Sequence, residues 1–219
     1  MNALKLLSTS SIVLGVSFLL RFGLTVVLAR YLTSSELGVY SWAVTAFGIL
    51  GIVTNFGLDF FLIRKIPEYR EVSSGMVGAV ISNTKKRSIK IASLLILLIL
   101  PLSYFSLYIF ESAAIYRNEL MIIIFALPFA AISLIYSTSL RAFDFPLKGQ
   151  FIESILQTGF LLIAVVICSV VFNDIISQNR TAVFISIFLF SWVFSSFISY
   201  LVFKKSVKLT SFQTPSKDS

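Results

Sequence analysis

The run SSIVLGVSFLLRFGLTVVLA, residues 10–29, decides the fold. As a helix rising 1.5 Å per residue it reaches across roughly 30 Å of hydrocarbon. A continuously apolar run in lipid can satisfy its backbone hydrogen bonds within itself only as a helix. A cleaved leader would show a small-residue processing site after a shorter apolar core, and Val27-Leu28-Ala29-Arg30-Tyr31 is not one. Working outward, five more runs of similar length follow, near residues 37–58, 91–110, 120–140, 151–172 and 182–203. None alternates apolar with polar residues in ten-residue segments, which excludes a β-barrel. The reading is an all-α, polytopic membrane bundle of six transmembrane helices.

Composition agrees. Of 219 residues 57% are hydrophobic, a share that a domain with a water-facing surface does not sustain. The single cysteine, Cys168, lies inside the fifth run, so no disulfide framework or metal-ligand spacing exists, and it reads as a packing residue. Histidine is absent, which removes the usual general base and transition-metal ligand. The chain is therefore read as a non-enzyme with no cofactor and no metal.

The charges fix an expected orientation. Fourteen Lys and Arg fall on one side of the six runs, seven of them between the second and third, while the other side carries only Arg30, Arg117 and Arg180. The positive-inside rule puts both termini in the cytoplasm. The net charge of +8 is thus a topological signature spread along membrane boundaries, which argues against nucleic-acid binding.

Three outer connections, near 30–36, 111–119 and 173–181, are too short for an external domain. The largest cytoplasmic connection runs from Asp59 to Lys90. Within it a segment near 73–87 places Met76, Val77, Val80 and Ile81 at helical spacing before Lys85-Lys86-Arg87, the pattern of a short amphipathic helix on the inner leaflet. It reads as a basic anchor attracted to anionic lipid or as a part that contacts substrate or gates. The polar tail, residues 204–219, reads as disordered, and Trp42, Trp192 and the tyrosines near helix ends read as interfacial belts.

Function is sought among the intramembrane polar residues. Arg21 lies mid-way along the first run, where a lone guanidinium costs about 3 kcal/mol on insertion scales and more than ~10 in simulations. Ser10, Ser17, Arg21 and Thr25 recur at steps of seven, four and four, one stripe expected to face the bundle interior. Ser41, Thr45, Gly48, Asn55 and Asp59 form a second stripe, Ser133, Ser137 and Arg141 a third, and Glu153 and Gln157 a fourth. Helices one, two, four and five would then enclose a hydrated cleft with helix three peripheral. Close packing through small residues is the competing account of the serines, and a pair with Asp59 or Glu153 is the competing account of Arg21.

Ala29-Arg30-Tyr31-Leu32, Glu36-Leu37-Gly38-Val39-Tyr40, Gly57-Leu58 and Arg64-Lys65-Ile66-Pro67-Glu68 together resemble the opening of the polysaccharide-repeat, Wzx-type flippases of the multidrug/oligosaccharidyl-lipid/polysaccharide exporter superfamily. The resemblance is carried by residues 10–70. It implies a transporter that moves undecaprenyl-pyrophosphate-linked oligosaccharide across a bacterial inner membrane for polysaccharide or O-antigen synthesis. Arg21 matches the cavity cation that receives pyrophosphate, and Arg64 would stand at the cytoplasmic entrance. The substrate-binding set expected is Arg21, Ser17, Thr25, Asn55, Asp59, Arg64 and Arg141. Asn55 stands where members often carry an acid, and Thr33 where they carry glycine.

Members have two pseudo-symmetric lobes of six or seven helices, so six helices are expected to form the N-terminal lobe, as a truncated product or beside a second copy or partner. Membrane lipids, a glycan polymerase and glycosyltransferases are the further partners implied. A non-transporting scaffold of a polysaccharide assembly complex and a half-length exporter of small amphiphiles are the alternatives.

Overall fold

The computed structural model describes residues 3–72, 74–109, 114–171 and 180–211. Helix α1 (Ala3–Tyr31) is followed at once by α2 (Ser34–Asn55). Thr33 sets the corner between them. Its Oγ1 accepts from the Glu36 N–H at 3.4 Å, and the Glu36 carboxylate accepts from the Thr33 N–H at 2.8 Å. This reciprocal capping box satisfies two orphan donors of α2, which gives the threonine that replaces the expected glycine a structural role.

Helix α2 ends where Phe56 and Gly57 take positive φ values of 28° and 75°. Helix α3 (Leu58–Val72) follows and turns back into α4 (Ser74–Ile109), α5 (Ala114–Ile124) and α6 (Leu127–Ala142). The break before α6 has a steric cause, because Pro128 in its first turn lacks an N–H and crowds the preceding turn. After a corner at Asp144, with φ of 65°, come α7 (Pro146–Phe151), a π-helical turn (Ile152–Leu156), α8 (Gln157–Val171) and α9 (Arg180–Ser211).

Among the described residues five segments are long and apolar enough to cross a membrane: Ser8–Tyr31, Ser34–Arg70, Arg117–Ala142, Pro146–Val171 and Arg180–Val207. The run expected near 91–110 forms the C-terminal part of α4 and is not among them. Helix α4 carries that run on to Ile109. Leu94, Leu97, Leu98 and Leu102 are exposed along it, as a peripheral helix requires. The chain is an all-α membrane bundle.

Two apolar clusters stack along the helix axes. The larger joins α1, α2, α4, α5, α6, α8 and α9 around Phe47, Leu127, Val165, Phe184 and Phe188. The smaller joins α3, α4 and α6 around Leu62, Ile66, Ile81, Ile135 and Phe143. Buried hydroxyls lie between helices: Ser133 meets Ser195 at 2.9 Å and Ser199 at 3.0 Å, tying α6 to α9. Packing through small residues is how helices associate where lipid removes the hydrophobic drive between them. Ser133 and Ser137 are packing residues, fully enclosed.

Two expectations are corrected. The segment near 73–87 is no separate surface helix; it is the start of α4, because Val77 and Ile81 bury against Leu62 and Ile66 of α3 instead of lipid. The connection from Asp59 to Lys90 is accordingly a packed helical hairpin. The tail does not begin at 204, since α9 runs to Ser211, with Val207 packed on the smaller cluster and Ser206 accepting from Lys148 Nζ at 3.2 Å. The remainder of the predicted tail, 212–219, lies outside the described residues. Helix six, as α9, packs on α2, α5, α6 and α8.

Close approach of α7 to α6 depends on Gly149. A Cβ there would stand 2.4 Å from the Ser137 carbonyl oxygen and 2.8 Å from Arg141 Cγ. Gly149→Ala is expected to destabilise the lobe by about 1–3 kcal/mol through overpacking, lowering the thermal unfolding midpoint in detergent. Gly38→Ala, with nothing within 4 Å of the new Cβ, should leave that midpoint in place.

Candidate functional site

The residues singled out on the sequence separate into three places. On α1, Ser17 is buried and donates to the Leu14 carbonyl at 2.8 Å, whereas Arg21 and Thr25 are exposed. The stripe does not face the lobe interior as expected. Helix α1 packs on α8 through Leu20 and Gly23, with Leu162 and Gly159 opposite. At 100° per residue Arg21 and Thr25 fall on the side of α1 turned away from that contact. Thr25 donates to the Arg21 carbonyl at 3.0 Å. Among the described residues no acid pairs with the Arg21 guanidinium.

Asn55 and Asp59 share a second place, a cavity of about 360 Å³ where α2 meets α6 and α9. Gly48, Gly51, Phe56, Gly57, Leu134 and Trp192 are among its walls. Asn55 Nδ2 donates to the Gly51 carbonyl at 3.0 Å, and its Oδ1 accepts from Ser88 at 3.5 Å, so the amide that stands in place of an acid is partly occupied in joining α2 to α4. Asp59 lies in the first turn of α3, where the helix dipole favours its negative charge. Chemically the cavity combines an indole, an amide and a carboxylate with apolar walls, a set suited to a ligand with both hydroxyls and hydrocarbon faces.

Arg64 and Arg141 occupy the third place, the basic end of the lobe. Arg64 is exposed on α3. Arg141 is engaged by Glu153 of the π-helical turn, in a pair with both side chains about one third exposed. That pairing corrects two expectations at once. Glu153 does not serve Arg21, and Arg141 locks α6 to the start of α8, its Nε buried without an acceptor. A neighbouring link, Arg70 to Asp144 at 2.9 Å, ties α3 to the corner after α6.

Trp192 was expected in an interfacial belt. The structure packs it between Phe47 and Phe188, with ring centroids 5.6 and 6.3 Å away and its Nε1 buried without a partner. Trp42 is exposed on α2. The signal that could have found the role of α9 was the four-residue series Ser191, Ser195, Ser199, a polar face as regular as those noted on the other helices. Along it Ser191 accepts from Gln157 Nε2 at 3.2 Å, binding α8 to α9.

Separating the Arg141–Glu153 pair should cost about 1 kcal/mol, given its partial exposure. Glu153→Gln and Arg141→Gln are each expected to lower the unfolding midpoint. The double variant should lose less than the two losses added together, and a double-mutant cycle measures that coupling.

Neither a curated protein nor a solved structure matches the chain. A family model does, over residues 4–219, and its description is polysaccharide biosynthesis protein. The match extends the resemblance seen in residues 10–70 across all the helices described above. With an all-α membrane bundle and a match over nearly its whole length, the chain belongs to the polysaccharide biosynthesis protein family.

Proposed function

We propose that this chain is a flippase lobe that moves a lipid-linked oligosaccharide, carried on undecaprenyl pyrophosphate, across the bacterial inner membrane. Arg21 carries the reading. It is a guanidinium in the middle of an apolar helix, exposed on the lobe, with no acid paired to it among the described residues. An intramembrane cation left in that position is a functional site by default, and its planar fork suits a phosphate by charge-assisted, bidentate hydrogen bonds. In the transporting assembly the exposed flank of α1 would face a central route shared with a second lobe, supplied by further chain, a second copy or a partner.

The proposed mechanism is alternating access, with no covalent chemistry on the sugar and no cofactor. The pyrophosphate would be held at Arg21 and Thr25, while the cavity of Asn55, Asp59 and Trp192 would receive hydroxyl-bearing parts of the glycan. Arg64 would attract the substrate at the cytoplasmic end, which the excess of lysine and arginine supports as the inner side. A glycan polymerase and glycosyltransferases are the enzymes such a step would serve. Engagement of Glu153 by Arg141 supports this reading over a scaffold, because it occupies one of the two acids that could have neutralised Arg21 internally.

Complementation tests the proposal. In cells lacking their own flippase, the chain supplied with whatever lobe completes it should restore surface glycan. Arg21→Ala should reduce that glycan at least about tenfold, the loss of one charge-assisted contact or more, and Arg21→Lys should retain part of it. Full glycan with Arg21→Ala at equal protein level would overturn the assignment.

A further inference from the structure

A different surface of the lobe carries a second site. The left-handed pair Phe56 and Gly57 ends α2 abruptly and turns Phe56 outward, 83% exposed. Between this break and α4 runs a groove of about 390 Å³. Phe56 and Phe61 form one bank, and Val80, Asn83, Arg87 and Ile91 form the other. The four α4 residues recur at steps of three, four and four, so they are one face of that helix.

The basic triplet noted in the sequence is divided by the fold. Lys85 turns to α6, donating to the Tyr136 hydroxyl at 3.4 Å and lying over its ring at 5.9 Å. Lys86 is exposed outside the groove. Arg87 lines it, and among the described residues no acid pairs with Arg87 and none lines the groove. Ile91, where the apolar run of α4 begins, is one turn further on, about 6 Å. Arg87 therefore stands one helical turn outside that apolar run.

We propose that this groove binds an anionic glycerophospholipid. Its phosphate takes the Arg87 guanidinium bidentately, the Asn83 amide reaches headgroup or ester oxygens, and an acyl chain lies along Phe56, Phe61 and Ile91. Charge complementarity selects an anionic headgroup, since the lining offers a cation and no acid. The apolar banks select a lipid over a free anion, and an acidic peptide would leave them unused. The site stands whatever the lobe transports.

The test uses the purified chain, exchanged into mixed micelles of phosphatidylglycerol and phosphatidylcholine with matched acyl chains, and reads retained lipid by native mass spectrometry. Wild type should retain phosphatidylglycerol at least about tenfold over phosphatidylcholine, Arg87→Gln should lose about tenfold of it, and Lys86→Gln less than about twofold. Phe61→Ala should weaken retention without altering the preference, and millimolar inorganic phosphate should not displace the lipid. Equal losses for Arg87→Gln and Lys86→Gln would mean a diffuse basic surface and overturn the site. Equal retention of phosphatidylcholine, displacement by phosphate, or displacement by an equimolar polyprenyl phosphate would each overturn the assigned ligand.

Discussion

Hydroxyl contacts between α6 and α9 hold the centre of this lobe. In lipid, apolar side chains gain little by leaving one apolar neighbour for another, so helices need close backbone approach and internal hydrogen bonds to associate. Ser133, between Ser195 and Ser199, supplies both. The other elements are arranged around that joint: α6 also packs against α3, α4 and α7, and α9 against α2, α5 and α8. Gln157 and Ser191 extend the polar seam to α8. Every one of these serines is small enough to disappear between helices, and none is left as an unsatisfied polar group in hydrocarbon.

Interruptions of the helices position what the seam leaves exposed. The break at Phe56 and Gly57 ends α2 beside the cavity of Asn55 and Asp59 and, on its other side, opens the groove toward Arg87. The break before Leu127 lets α5 and α6 follow α2 and α3 past that bend. At the basic end, Arg70 to Asp144 and Arg141 to Glu153 are the ion pairs that fasten the corners. Two of the ion pairs thus stand at corners, a third lies within α3, and among the described residues Arg21 and Arg87, on different surfaces, have no acid paired to them.

The spans were readable because hydrocarbon thickness imposes a length that residues 10–29 meet on their own. The family resemblance was readable from the Ala29-Arg30-Tyr31-Leu32 and Glu36-Leu37-Gly38-Val39-Tyr40 pieces, and it holds over nearly the whole chain. The stripes were ambiguous as destinations, and two of them are interrupted, Asn55 to Asp59 by the break at Phe56 and Glu153 to Gln157 by the π-helical turn. Ser17 and Ser133 point into packing, while Arg21, four residues from Ser17, stands exposed. A helical repeat tells which residues share a face; only the neighbouring helices tell what that face meets. The Arg141–Glu153 pair depends on a twelve-residue separation across a corner, which no periodicity encodes. The role of Trp192 was not legible, because a tryptophan in an apolar run looks the same at a membrane interface and in a helix junction.

The π-helical turn at Ile152–Leu156 makes the lobe a matter of phase. Such a turn carries one residue more than an α-helical turn would, which offsets everything after it by about 100°. Glu153 on one side of the offset meets Arg141, and Gln157 on the other meets Ser191. A deletion of a single residue here would leave composition, hydropathy and span length almost untouched, yet one of those two partnerships would be rotated away. A change of length is therefore closed to this part of the chain.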